Sequence, residues 1–177
     1  MLITILLIAV ALLAVLAVVV ATRPARFAIT RSAAIPAPPA AVFALVNDFH
    51  RWDAWSPWAK LDPACQNTFD GPAAGVGAKF AWAGNNKVGA GRMTITSSRL
   101  VELIHIDLEF FRPMKARNLT EFIFVPKAGG TRVTWTMSGG NGFAGKLFSV
   151  FVNCDKMVGG QFEQGLANLK SLATPAI

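Results

Sequence analysis

The chain has 177 residues, of which 53% are hydrophobic and 15% charged, with 17 Lys and Arg against 10 Asp and Glu and a net charge of +7. That balance excludes a disordered chain, and the length excludes a multidomain enzyme while leaving room for one compact unit and an appendage. Two cysteines exclude a disulfide scaffold. From Met1 to Ala21 every residue except Thr4 is apolar. A run of about 20 residues at about 1.5 Å each spans a hydrocarbon core of about 30 Å, so residues 1–22 read as a transmembrane anchor. Nothing basic precedes the run, and it exceeds the apolar stretch of about 7–15 residues of a cleaved signal, so an uncleaved anchor is expected. All the basic residues follow it, Arg23, Arg26 and Arg31 first. The positive-inside rule then predicts a single-pass protein of the inner (cytoplasmic) membrane with its C-terminal domain in the cytoplasm. Lys and Arg are scattered singly and no nucleic-acid-binding motif accompanies them, so the expected partners are a membrane and a small molecule, not nucleic acid.

Residues 23–30 read as a basic juxtamembrane linker and strand start, residues 31–173 as one folded domain and residues 174–177 as a tail. A strand is predicted over Arg26–Ile35, ended by Pro36 to Pro39, where proline opens a helix that Val42, Phe43, Leu45 and Val46 carry to about Asn47. A short helix is expected around Phe49–Trp55. Between Gln66 and Gly139 the apolar period becomes two, in Phe80 and Trp82, Met93 and Ile95, Ile104 to Phe110, Phe122 and Phe124, and Val133 to Met137. Glycines and prolines punctuate these runs and predict a six-stranded antiparallel meander with one buried face. Thr94, Thr96, His105, Asp107, Glu109, Thr134 and Thr136 fall on the solvated face. After a glycine-rich loop from Gly139 to Gly145, one helix of about 28 residues is predicted to Ala173, with Leu147, Phe151, Cys154, Val158, Phe162, Leu169 and Leu172 on its apolar side. Gly159-Gly160 is expected to mark a kink or a close approach to the sheet.

This order of elements resembles the helix-grip fold of the START-related (SRPBCC) superfamily, an α+β fold in which a curved antiparallel sheet of about seven strands wraps a long C-terminal helix. The string RSAAIPAPPAAVFALVNDFHRWDAWSPW, with Trp52, Trp55, Ser56, Pro57 and Trp58, is similar to the opening of its bacterial polyketide cyclase/dehydrase and lipid-transport family. GTRVTWTMSG at Gly130–Gly139 and FEQGLANLKSLA at Phe162–Ala173 resemble that family's last strand and terminal helix. The likeness implies an apolar cavity between sheet and helix that takes lipids, sterols, polyketides or similar molecules, and members with an N-terminal membrane segment.

The residues for that cavity are the aromatic and flexible apolar ones of the inner face and terminal helix: Trp55, Trp58, Phe80, Trp82, Met93, Ile106, Leu108, Phe110, Phe122, Phe124, Trp135, Met137, Phe151, Val158 and Phe162. Asn118 joins them as a polar group, with Thr120 on the same face. Gly142 and Phe143 are the expected gate. Chemistry is thinly supplied. Cys65 and Cys154 lack zinc-site spacing, the two histidines are isolated, and no nucleophile elbow is present, so no metal, cofactor or catalytic residue is assigned. The alternative is a cyclase- or dehydratase-like enzyme that uses His105, Asp107 or Asp53 as acid or base. Gly75-Val-Gly77 and Gly89-Ala-Gly91 read as strand-turn glycines rather than phosphate loops.

Overall fold

A computed structural model describes residues 1–174; of the tail expected at 174–177, residues 175–177 lie outside the described residues. Helix α1 covers Leu2–Thr22 and has one buried residue, Val20. Strand β1 (Arg26–Ile35) follows. Helix α2 (Pro39–Val46) starts on a proline in its first turn, where the missing N–H costs no hydrogen bond. It buries Val42, Phe43 and Val46. A 3-10 turn over Phe49–Ala54 is capped by Asp48, whose side chain accepts from the His50 backbone N–H. Six strands complete the sheet, β2 (Gln66–Asp70), β3 (Lys79–Ala83), β4 (Ala90–Arg99), β5 (Leu103–Arg112), β6 (Ala116–Lys127) and β7 (Gly130–Gly140). All neighbours are antiparallel, in the order β1-β7-β6-β5-β4-β3-β2. The meander is therefore as predicted, and β1 returns from the far edge to pair with β7 because both present alternating apolar residues to the same inner face.

The C-terminal region departs from the single helix expected. It is two helices, α3 (Phe143–Phe151) and α4 (Cys154–Ala173), and the break falls at Val152 and Asn153, not at Gly159-Gly160. Asn153 stops the periodicity for a local reason: its side chain accepts from the Lys156 N–H and caps α4, and Asp155 adds a carboxylate to the first turn. Gly139 and Gly140 belong to β7 rather than to a loop.

Helix α4 lies over β1, and Gly159 explains how it comes so close. A Cβ there would meet the Arg31 guanidinium at 2.1 Å, whereas one on Gly160 would meet nothing within 4 Å. Arg31 projects inward from β1 beneath the helix. It donates to both Asp155 oxygens (3.1 and 2.9 Å), to the Asp155 carbonyl (3.1 Å) and to Glu163 (2.7 Å). The Arg31 guanidinium holds the Asp155 carboxyl below the usual carboxylate range, first through its hydrogen bonds and less through its charge. A carboxylate depressed on folding contributes stability above its unfolded value, and that contribution disappears as pH falls through the folded one. The stability difference between the wild type and Asp155→Asn is therefore expected in full above about pH 4 and to vanish in more acidic solution. Hydrogen exchange of the first turns of α4 against pH measures it; a pH-independent difference would contradict this role for Arg31.

Candidate functional site on the inner sheet face

Register places the inner-face residues in rows across the sheet. One row runs Ile104, Phe122, Trp135, Arg31; the next Ile95, Ile106, Thr120, Met137, Ile29; the third Phe80, Met93, Leu108, Asn118, Gly139, Phe27; the last Trp82, Gly91, Phe110, Ala116. The last two rows lie at the end of the sheet where β1 leaves α1 and β7 enters α3. We call this the near end.

The space under α4 is filled by the protein's own rings. Trp135 stacks on Phe162 (centroids 4.1 Å apart, planes 9°) and on Phe122 (4.8 Å), and meets Trp55 (5.7 Å) and Trp58 (5.9 Å) edge-on. Trp52 adds to the cluster against Trp55 at 4.6 Å, and Phe124 packs on Phe43 at 5.3 Å. Gly165 makes room for this packing, since a Cβ there would lie 2.8 Å from the Trp135 ring. Thus Trp55, Trp58, Phe122, Phe124, Trp135 and Phe162 come together as a packed centre, with Ile106 fully buried beside them.

Toward the near end burial relaxes. Met93, Leu108, Asn118 and Met137 keep 8–9% of their surface, and Phe27, Phe80, Trp82, Phe110 and Val158 are only half-buried. Trp82 lies across Gly91, meets Phe110 edge-on at 5.8 Å and is aligned with Phe80 at 6.0 Å. Its indole N–H donates to the Val88 carbonyl at 2.9 Å, which fixes the ring over the strand. These residues form the accessible part of the inner face.

From this surface inward to the packed centre, three polar side chains are poorly served. Thr120 Oγ1 and Trp135 Nε1 are buried, in residues 3% and 2% exposed, and have no hydrogen-bond partner among the described residues. Asn118 Nδ2 reaches only the Met137 sulfur, at 4.0 Å. The indoles of Trp52 and Trp55 instead donate to the carbonyls of Val46 (2.9 Å) and Leu45 (3.1 Å). Buried polar groups are satisfied in the great majority of cases, so unpaired ones ask for an explanation.

Other candidates stand elsewhere. Phe151 is 74% exposed on α3 and does not face the sheet. Gly142 and Phe143 line a pocket of about 360 Å³ between the end of α1 and α3, shared with Ala17, Val20, Ala21, Ala25, Asn141 and Lys146. A second pocket, of about 200 Å³, lies at the opposite end near Pro36 and Gly129. His105 and Asp107 point to the outer face, where His105 Nε2 contacts Glu121 at 2.7 Å and Asp107 accepts from Arg117. Glu109 pairs there with Arg92, and Asp53 is exposed. His50 contacts Asp48 and stacks on Phe69 at 4.2 Å. Among the described residues no three His, Cys, Asp or Glu side chains gather as a metal site. Burial pushes the Cys65 thiol up, with help from Asp62. Gly91, expected in a turn, sits inside β4 as the floor beneath Trp82. Phe27 and Trp52 were outside the expected set; Phe27 lies one alternation before Ile29 in β1, a signal visible in the sequence.

With this geometry in view, residues 26–174 match the family described as polyketide cyclase / dehydrase and lipid transport. The chain belongs to that family. Its fold is shared with a Chromobacterium violaceum protein at 15% identity (TM-score 0.60, covering 87% of this chain and 100% of that one). A Mycobacterium smegmatis protein is similar at 19% identity (TM-score 0.59, 85% and 92%). The di-domain ARO/CYC BexL of the BE-7585A biosynthetic pathway matches at 14% identity (TM-score 0.61), over 90% of this chain and 53% of its own. No curated protein matches. Family membership brings a hydrophobic-ligand-binding type of fold, and the seven-stranded antiparallel sheet with a C-terminal helix agrees with it.

Proposed function

We propose that the domain binds one hydrophobic small molecule or lipid on its inner sheet face, entering at the near end and reaching inward to the Thr120 and Trp135 rows, and that α1 tethers it to the bilayer. The observation that carries this reading is the pair of unpartnered buried atoms, Thr120 Oγ1 and Trp135 Nε1, in an otherwise apolar surface. An apolar ligand with one oxygen-bearing group would accept from the indole and exchange a hydrogen bond with the hydroxyl, with Asn118 beside it. Phe80, Trp82, Met93, Leu108 and Phe110 would cover its hydrocarbon part. Their residual exposure at the near end gives the entry side. Helix α1 is long and apolar enough to cross a membrane, and Arg23 and Arg26 at its exit favour a cytoplasmic domain on an inner membrane. Binding and transfer without chemistry is the favoured reading, because the acid and base candidates His105 and Asp107 stand on the opposite face.

The test is ligand capture. The chain from Arg23 onward is purified without detergent and extracted with organic solvent, beside Thr120→Val. Recovery of one lipid or isoprenoid class at near-stoichiometric amounts is expected from the wild type. Thr120→Val replaces an unpaired hydroxyl by a methyl of the same shape, so the empty protein is expected to gain about 1 kcal/mol while retaining clearly less ligand. A folded wild type that yields no ligand and takes up no apolar fluorescent probe overturns the proposal.

A further inference from the structure

Helix α3 exposes three phenylalanines to its surroundings. Gly145, Lys146, Leu147, Ser149 and Val150 are half-buried, while Phe143, Phe148 and Phe151 are 73%, 43% and 74% exposed. At about 100° per residue, Phe143, Leu147, Phe148 and Phe151 share one stripe. Such an exposed run of aromatic residues marks a surface that something covers.

Its neighbours say what. Helix α3 packs against α1, and Phe143 shares a pocket with Ala17, Val20 and Ala21, within the last two turns of the apolar helix. The phenylalanine stripe therefore starts at the level where α1 meets its basic exit. By register the same end of the sheet carries the β3–β4 turn and the β5–β6 turn, whose Met114 is 48% exposed. Six cations gather there: Arg23, Arg26, Lys87, Arg112, Lys115 and Lys146. Among the described residues none of the six has a carboxylate within ion-pair distance, as is also true of Lys60, Lys127, Arg132, Lys156 and Lys170 elsewhere, whereas Arg31, Arg51, Lys79, Arg92, Arg99 and Arg117 do. Exposed phenylalanines and cations at one end of the molecule, beside an apolar helix, have the composition of an interfacial lipid-binding surface.

We infer that α3 lies in the headgroup layer of an anionic bilayer with Phe148 and Phe151 inserted, so that the near end of the sheet faces the membrane. This rests on α1 spanning that bilayer and adds a second, peripheral contact which fixes the domain's orientation. The open side of the inner face then meets the lipid surface directly.

The full-length chain is reconstituted in vesicles of phosphatidylethanolamine and phosphatidylglycerol, with the photo-crosslinker p-benzoylphenylalanine in place of Phe148, Phe151, Val10 or Leu100. Val10 reports the anchor, and Leu100, 79% exposed at the opposite end, reports water. Mass spectrometry is expected to find lipid adducts at positions 10, 148 and 151, several-fold above position 100, with phosphatidylglycerol exceeding its share of the vesicle. Adducts at 10 without adducts at 148 and 151, or protein adducts there instead, overturn the inference and leave the anchor standing. No adduct at 10 overturns both. Adducts at 148 and 151 in proportion to lipid composition overturn the role of the six cations. Ligand capture by the chain from Arg23 onward is independent of all these outcomes, so failure of the binding reading is told apart from failure of this one.

Discussion

Trp135→Ala is expected to cost about 3–5 kcal/mol, the largest loss of stability expected from a single substitution in this domain. Trp135 is 2% exposed and touches the rings of Phe162, Phe122, Trp55 and Trp58, so truncation leaves a void bordered by four aromatic side chains from the sheet, α4 and the segment after the 3-10 turn. Those neighbours have little room to collapse, because Trp55 is pinned through its indole to Leu45 and through its carbonyl to Asn168 of α4. That range already includes the lost ring pairs, each worth up to about 1.5 kcal/mol. Trp135→Phe separates the two roles of the residue. It keeps much of the stacking and removes the unpaired N–H, so its cost is expected below about 1.5 kcal/mol, while ligand retention falls as in Thr120→Val. Urea denaturation followed by circular dichroism gives both stability values. A cost for Trp135→Ala near 1 kcal/mol would show that the ring cluster is not the centre of the fold.

Gly91→Val ranks second, at about 1–3 kcal/mol. A Cβ at Gly91 would stand 2.4 Å from the Glu109 carbonyl oxygen and 2.5 Å from the Trp82 ring. The first of these is backbone in the neighbouring strand, so relief requires β4 and β5 to part next to their register shift at Ala90 and Gly91. The second would lift Trp82 from the floor on which it meets Phe110. Apolar-probe binding is therefore expected to weaken along with stability, in contrast to Thr120→Val, where stability rises and binding falls. Probe affinity and unfolding midpoint measured on the same samples check this. Unchanged probe binding in a destabilised Gly91→Val would move the ligand surface away from the near end.

Much of this architecture is legible in the chain. The alternation from Phe80 to Met137 specifies strands because a side-chain period of two needs no knowledge of the partner strand, and Pro36 to Pro39 ends β1 through the missing N–H whatever lies nearby. The helix start at Asn153 was missed: an Asn followed two residues later by Asp155 is a capping signal, but the apolar stripe continues on either side and reads as one helix. For the site, Phe122, Phe124 and Trp135 came from the strand period, Trp55 and Trp58 from the Trp-rich segment after the first helix, and Phe162 from the period of the C-terminal helix. Their division into a filled centre and an accessible near half was not legible, since it depends on where α4 crosses the sheet.

The sequence alone determined the apolar N-terminal helix, the seven strands, the helical start at Pro39 and the single excess of positive charge, because each follows from local sterics, local hydrogen bonding or composition. Only the tertiary structure decided which apolar stripes face inward. Periodicity announces that Phe143, Phe148 and Phe151 share a side; it does not say whether sheet, water or lipid meets that side, and the packing of α3 against α1 turned it outward. The same holds for Arg31, one of three arginines that follow the apolar N-terminal helix in the chain. It became the residue beneath Gly159 that ties β1 to α4 because strand register placed it on the inner face and the glycine left space for a guanidinium. Contacts between residues more than a hundred positions apart are set by how elements dock, and no local preference encodes them.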